Sequence, residues 1–152
     1  MLELATISLS IFSYVTEEND RIVQALYNVL SPGMHAEKLT KIGTTSQFGD
    51  PFTIYSYESD DEEKITAILN HLGDQLDSRS RTYLTENLEN KIDFDERSVY
   101  LRLDKYKAYQ QQLVITEGGD IIKVEIGYNA YTQDENSYDG IAALFRSFHL
   151  IE

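Results

Sequence analysis

The residues best suited to chemistry lie between Arg97 and Tyr109. Arg97, Arg102, Lys105 and Lys107 are interleaved there with Tyr100, Tyr106 and Tyr109, and Asp104 is the one acid in the stretch. Cations follow a phosphate backbone, and phenol rings stack on nucleobases at roughly 1–3 kcal/mol per base, so the mixture suits single-stranded RNA. Phe48, at the head of a Phe-Gly-Asp-Pro turn, is a further aromatic candidate. The competing reading is that tyrosines simply pack on lysine and arginine stems, as they do on many sheets.

Catalytic and metal chemistry find little support. His35, His71 and His149 are dispersed, no two at the i, i+4 spacing of a helical zinc site, and there is no cysteine to complete one. The glycines form no phosphate-cradling loop, and no serine sits in a glycine-framed elbow. Residues 133–145 resemble a calcium loop superficially, but Asp139 stands where glycine is needed and Phe145 where glutamate is needed. Asp60-Asp61-Glu62-Glu63 reads as helix-capping charge. The expectation is a protein with no catalytic residues, no metal and no cofactor.

The window is an exception within an acidic chain. Among 152 residues, 26 are acidic and 13 basic, for a formal charge of −13. That balance disfavours a general polyanion-binding surface, and DNA is not an expected partner. The length suits a single domain over residues 1–152. The absence of cysteine, of an N-terminal basic region before an apolar run, and of an apolar stretch long enough for a membrane span makes the cytoplasm the simplest expected setting.

The elements that must position the window emerge from periodicity. Residues 4–15 alternate as a strand, with Ala5, Ile7, Leu9 and Ile11 on one face and Ser8, Ser10, Phe12 and Tyr14 on the other. Thr16 offers a cap for a helix carrying Ile22, Val23, Leu26, Val29 and Leu30, which Ser31-Pro32-Gly33 ends. Strands are expected at 37–43 and 52–58, around the Phe48–Pro51 turn, the second placing Tyr55 and Tyr57 opposite Phe52 and Ile54. Helices are expected from Ser59 or Asp60 and from Ser78 or Ser80, then a strand at 98–103 with Val99, Leu101 and Leu103 inward and Tyr100 and Arg102 outward. Residues 111–117 and 120–128 read as a hairpin around Gly118-Gly119, and 137–149 as a last helix. Together these predict an α+β two-layer sandwich: a mixed, mostly antiparallel sheet with helices packed on one face. Phe12 and Tyr14, with Tyr55 and Tyr57 if the strand neighbours allow, are expected to join Tyr100 and Arg102 on the open face.

Three segments resemble a known family. Ile7–Glu17 resembles the opening strand and helix start of small archaeal RNA-binding, exosome-subunit-like proteins. Gln47-Phe48-Gly49-Asp50-Pro51-Phe52 is similar to their His-Phe-Gly-Asn-Pro-Ile turn, and Leu101–Tyr109 to their Arg-Phe-Asp-Lys-Gln-x-Ala-Tyr segment. The resemblance covers roughly residues 5–128, leaving the loop and helix of 129–152 as an extension. It implies a fold like that of the ribosomal protein that binds 5S RNA, no catalysis, and partnership with RNA or an RNA-processing complex. Departures mark a diverged member: Gln47 replaces histidine, Asp50 asparagine, Tyr14 often histidine, and Gln110 or Gln111 a glycine. The alternative is an acidic interaction module without RNA binding, a homodimer through a sheet edge or through Tyr138, Phe145 and Phe148 of the last helix.

Overall fold

The computed structural model describes residues 2–152. The chain runs β1 (Glu3–Tyr14), α1 (Asn19–Val29), β2 (Thr40–Thr45), β3 (Pro51–Ser59), α2 (Glu62–Gln75), α3 (Ser78–Asn87), β4 (Ile92–Asp93), β5 (Ser98–Asp104), α4 (Lys105–Tyr109), β6 (Ile121–Asn129) and α5 (Tyr138–Ser147). The strands form one sheet in the order β2-β3-β1-β6-β5-β4, and every ladder between them is antiparallel. The α+β sandwich is therefore as the alternation implied.

Alternation in β1 sends Ile7, Leu9 and Ile11 into the core, where they meet Val99, Leu101 and Leu103 of β5 and Ile122, Val124 and Ile126 of β6. The helices close over this face. Ile22, Ala25, Leu26 and Val29 of α1 and Ile65, Ile68, Leu69 and Leu72 of α2 are all buried there. Ile141, Ala142 and Phe145 of α5, with Leu150 and Ile151, belong to the same cluster, so the stretch after residue 128 helps build the common core. Phe145 is fully covered, while Tyr138 and Phe148 are half-buried.

Helix starts reflect side-chain chemistry. Asp61, Asp77 and Ser137 cap α2, α3 and α5 by accepting amide hydrogen bonds from the first turn of each helix. The expected cap at Thr16 is displaced: α1 begins at Asn19 after Glu18, and Asn19 Oδ1 accepts the Ser13 hydroxyl at 2.6 Å.

The expected 111–117 strand is a correction. Lys105 to Tyr109 turn as α4, and Gln111 then takes a φ of 63°, which breaks any extended run. Residues 113–116 lie along the edge of β5 beyond the short β4. There the Asp104 amide donates to the Val114 carbonyl at 2.8 Å and the Thr116 amide to the Arg102 carbonyl at 3.0 Å. The loop through Gly118-Gly119 then crosses the end of β5 to reach β6, whose partners are β5 and β1.

Candidate nucleic-acid interface

The sheet face away from the helices is open, and β1, β3, β5 and β6 dress it. Ile11 pairs with Tyr55 and Leu9 with Tyr57, so those two tyrosines share the core face and are buried, contrary to the expectation that they join the open face. Phe52, cross-strand from Tyr14, takes that place. Phe12, Tyr14 and Phe52 form a triad: ring centroids lie 5.2 Å apart for Phe12–Phe52, 6.0 Å for Tyr14–Phe52 and 6.4 Å for the edge-on Phe12–Tyr14 pair. Phe12 and Tyr14 each keep 42% of their surface exposed. Ile54, cross-strand from Phe12, and the exposed Ile42 extend this apolar patch, and such a patch makes the face a candidate binding surface.

Beside the triad stand cations. Arg102 of β5 and Lys123 of β6 are direct cross-strand partners on this face. Tyr100 and Arg102 do project outward and are half-buried among neighbouring strands, not beneath a helix. Lys123 Nζ lies 5.2 Å from the Tyr100 ring centroid, and the Tyr100 hydroxyl donates to Glu125 at 3.1 Å. Burial and that carboxylate raise the Tyr100 phenol above its usual range. Ser10, Phe12, Tyr14, Arg102, Gly119 and Lys123 share a cavity of about 210 Å³.

Of the window's other cations, Lys105 also lines this cavity but is enclosed, and Arg97 and Lys107 lie elsewhere. Lys105 is 1% exposed. Its ammonium donates to the Phe12 carbonyl and to Glu17 Oε1, both at 2.9 Å, and sits 5.0 Å from the Tyr14 ring centroid. It is thus an internal anchor and not the exposed cation that its neighbours suggested. Opening α4, with Asp104 Oδ1 accepting the Lys107 amide at 2.8 Å, turns the Lys105 stem inward toward β1. Arg97 occupies the turn before β5 with a φ of 53°, at the far end of the strand from Lys105. Lys107 is exposed on α4.

Tyr106 and Tyr109 line a separate groove against α1, where Arg21 lies 5.7 Å from the Tyr109 ring. Glu17 accepts the Tyr106 hydroxyl at 2.9 Å, and this bond, reinforced by burial and the carboxylate's charge, pushes the phenol up to about 12. For Glu17 itself burial raises the pKa, but the Tyr14 amide, Lys105 and Tyr106 outweigh it and hold the carboxyl below its ordinary value. Asn28 fixes α4 in place, its Nδ2 donating to the carbonyls of Ala108 at 2.9 Å and Tyr109 at 3.2 Å.

Phe48 stands at the tip of the β2–β3 hairpin, 82% exposed. The tip is held by Ser46, whose carbonyl accepts the Gly49 amide at 2.9 Å, and Gly49 supplies the φ of 84° that this turn needs. The structure thus divides the sequence window into an outer pair (Tyr100, Arg102), a buried anchor (Lys105) and a helix-side group (Tyr106, Lys107, Tyr109). Lys123 and Phe52 complete the outer face. Lys123 escaped the sequence reading because the supposed 111–117 partner hid the Arg102–Lys123 register, and Phe52 because that reading gives Tyr55 and Tyr57 the open face in its place.

The chain matches the family described as RNA binding over residues 6–128. It belongs to that family. An RNA-binding protein of Pyrococcus abyssi is 29% identical over 132 residues, 86% of this chain and 85% of the relative. A crystal structure from Archaeoglobus fulgidus superposes with a TM-score of 0.76 at 21% identity, covering 96% of this chain and 99% of that one. A second DUF54 protein, from Methanothermobacter thermautotrophicus, gives 0.74 at 21% identity over 95% and 97% of the two chains. The structural pair establishes the shared fold. The resemblance drawn from residues 5–128 and the family match thus cover nearly the same stretch.

Proposed function

We propose that the open sheet face is a binding surface for single-stranded RNA, and that the protein is a non-catalytic accessory of RNA processing, exosome-associated as its relatives' resemblance implies. The observation that carries this reading is the Phe12–Tyr14–Phe52 triad, whose exposed rings Phe12 and Tyr14 stand directly beside Arg102 and Lys123. Rings on a sheet face accept splayed bases, and adjacent cations accept the backbone, whereas a duplex keeps its bases stacked away from such a surface. The remaining acidic surface repels stray polyanion and confines contact to this patch. RNA, alone or within an RNA-processing complex, is the proposed partner, and the cytoplasm the proposed setting.

Family membership supports RNA as the ligand class. The test is fluorescence anisotropy with single-stranded and duplex RNA at two salt concentrations, on the native protein and on a Phe12→Ala, Tyr14→Ala variant. Loss of two stacking rings weakens single-strand binding by tenfold or more at roughly 1–3 kcal/mol per base. Equal affinity for duplex, or an unaffected variant, refutes the platform. A homodimer is the second reading, and one observation favours it: β2 is exposed along its whole length as a sheet edge. Sedimentation equilibrium separates the two readings, because strand addition raises the mass without RNA.

A further inference from the structure

Arg102 and Lys123 face one another directly across β5 and β6. Like charges opposite each other destabilise a sheet. The chain has 26 acidic residues, yet among the described residues neither cation has a carboxylate in direct ion-pair contact, Glu117 attracting Arg102 only at longer range. Arg102 is also short of an acceptor. Its Nη2 donates to the Gly118 carbonyl at 2.6 Å, but its Nε is buried with no hydrogen-bond partner among the described residues. A buried N–H without an acceptor is a cost the fold ordinarily avoids, and it points to a missing group or an alternative rotamer.

Both side chains line the 210 Å³ cavity that Phe12, Tyr14 and Ser10 share. That is below the roughly 300 Å³ at which pockets for drug-sized ligands begin, and it suits one phosphate or the edge of one nucleotide. Asp120 and Lys105 line the same cavity; Lys105 is already paired with Glu17, and Asp120 works against a generic anion. Selection must therefore come from the planar guanidinium fork, which matches two phosphate oxygens at once.

We propose that Arg102 and Lys123 form a phosphodiester subsite for single-stranded RNA. In it Arg102 leaves the Gly118 carbonyl and turns Nε–H and an Nη–H onto one phosphate, Lys123 supplies the second charge, and the attached base stacks on Phe12 or Tyr14. This deepens the RNA-binding reading and rests on it. The ligand relieves both defects of the free protein: the like-charge pair gains a counter-ion in direct contact and the orphaned N–H gains an acceptor.

The experiment is an anisotropy titration with a short fluorescein-labelled oligouridylate, paired with nuclear magnetic resonance of the arginine Nε–H groups. Arg102→Gln weakens binding roughly tenfold, and Arg102→Lys nearly as much, because lysine keeps the charge and loses the fork. Lys123→Gln, at an exposed site that cannot disturb the core, flattens the dependence of log affinity on log salt by about 0.7. The Arg102 Nε–H resonance moves on saturation. If the native protein binds and Arg102→Lys binds equally well with a stationary resonance, the subsite is refuted while RNA binding stands. If the native protein fails to bind at low salt, the RNA reading itself falls. Displacement of the oligonucleotide by an equal concentration of inorganic phosphate refutes a phosphodiester site in favour of a free-phosphate one.

Discussion

Replacing Lys105 with methionine tests the internal anchor. The ammonium is almost completely enclosed, with Glu17 Oε1 and the Phe12 carbonyl each at 2.9 Å. Methionine fills similar space but leaves the Glu17 carboxylate, itself only 13% exposed, without its counter-ion. Removing one partner of a buried pair costs about 3–5 kcal/mol. Glu17 keeps the Tyr14 amide at 3.0 Å and the Tyr106 hydroxyl at 2.9 Å as donors, which places the loss at the lower end. With a urea slope of about 2 kcal/mol per molar, a loss of about 3 kcal/mol moves the denaturation midpoint down by ~1.5 M. Adding Glu17→Gln should recover part of that loss, because no uncompensated charge then remains. A midpoint shift below about 0.5 M, or a double variant no better than the single one, would falsify the anchor. The pH dependence gives a second check. Glu17's carboxyl is depressed in the folded state, so its contribution is complete above the unfolded value of about 4.3 and fades as pH falls below that. The acid limb of the native stability curve should therefore be steeper than that of Lys105→Met.

The Tyr106 phenol, pushed up to about 12, stabilises the folded state below pH ~10 and loses that contribution as pH rises from there toward 12; in an ultraviolet titration Glu17→Ala should bring its ionisation back toward 10. Gly73 packs so tightly that an added methyl would lie 1.8 Å from the Phe148 carbonyl oxygen, so Gly73→Ala should cost about 2–3 kcal/mol in chemical denaturation, and a loss under about 0.5 kcal/mol contradicts that packing. At the hairpin tip Gly49→Ala should cost about 1 kcal/mol through its φ of 84°, while Phe48→Ala, at an 82% exposed side chain, should leave the melting temperature unchanged.

Much of this molecule is legible along the chain because its strands bury one face only. Strict alternation in residues 4–15 and 98–103 separates Ile7, Leu9, Val99 and Leu101 from Phe12, Tyr14, Tyr100 and Arg102, and the structure keeps that separation. Tyr55 and Tyr57 defeat the method, since alternation says which residues share a face and only the Ile11–Tyr55 register says which face is inside. Lys105 defeats it for another reason. A lysine beside tyrosines reads as solvated, and nothing local signals that Glu17 and the Phe12 carbonyl wait for it from the opposite end of the sequence. The 111–117 error had the widest effect, because it hid the register that sets Lys123 against Arg102. The signal available was the Gln110-Gln111-Gln112 run, a poor start for a strand that must pair at once.

The place of β1 has a consequence for biosynthesis. This strand is made before the other five strands of the sheet yet lies in the middle of it, between β3 and β6. Its ladder to β3 can close early, whereas Ile7, Leu9 and Ile11 gain their second neighbours only once Ile122 to Ile126 have been made. Until then the nascent chain carries an unfinished sheet with one sticky margin, and contacts this distant in sequence form slowly. The net charge of −13 favours solubility of the chain while that margin is still open.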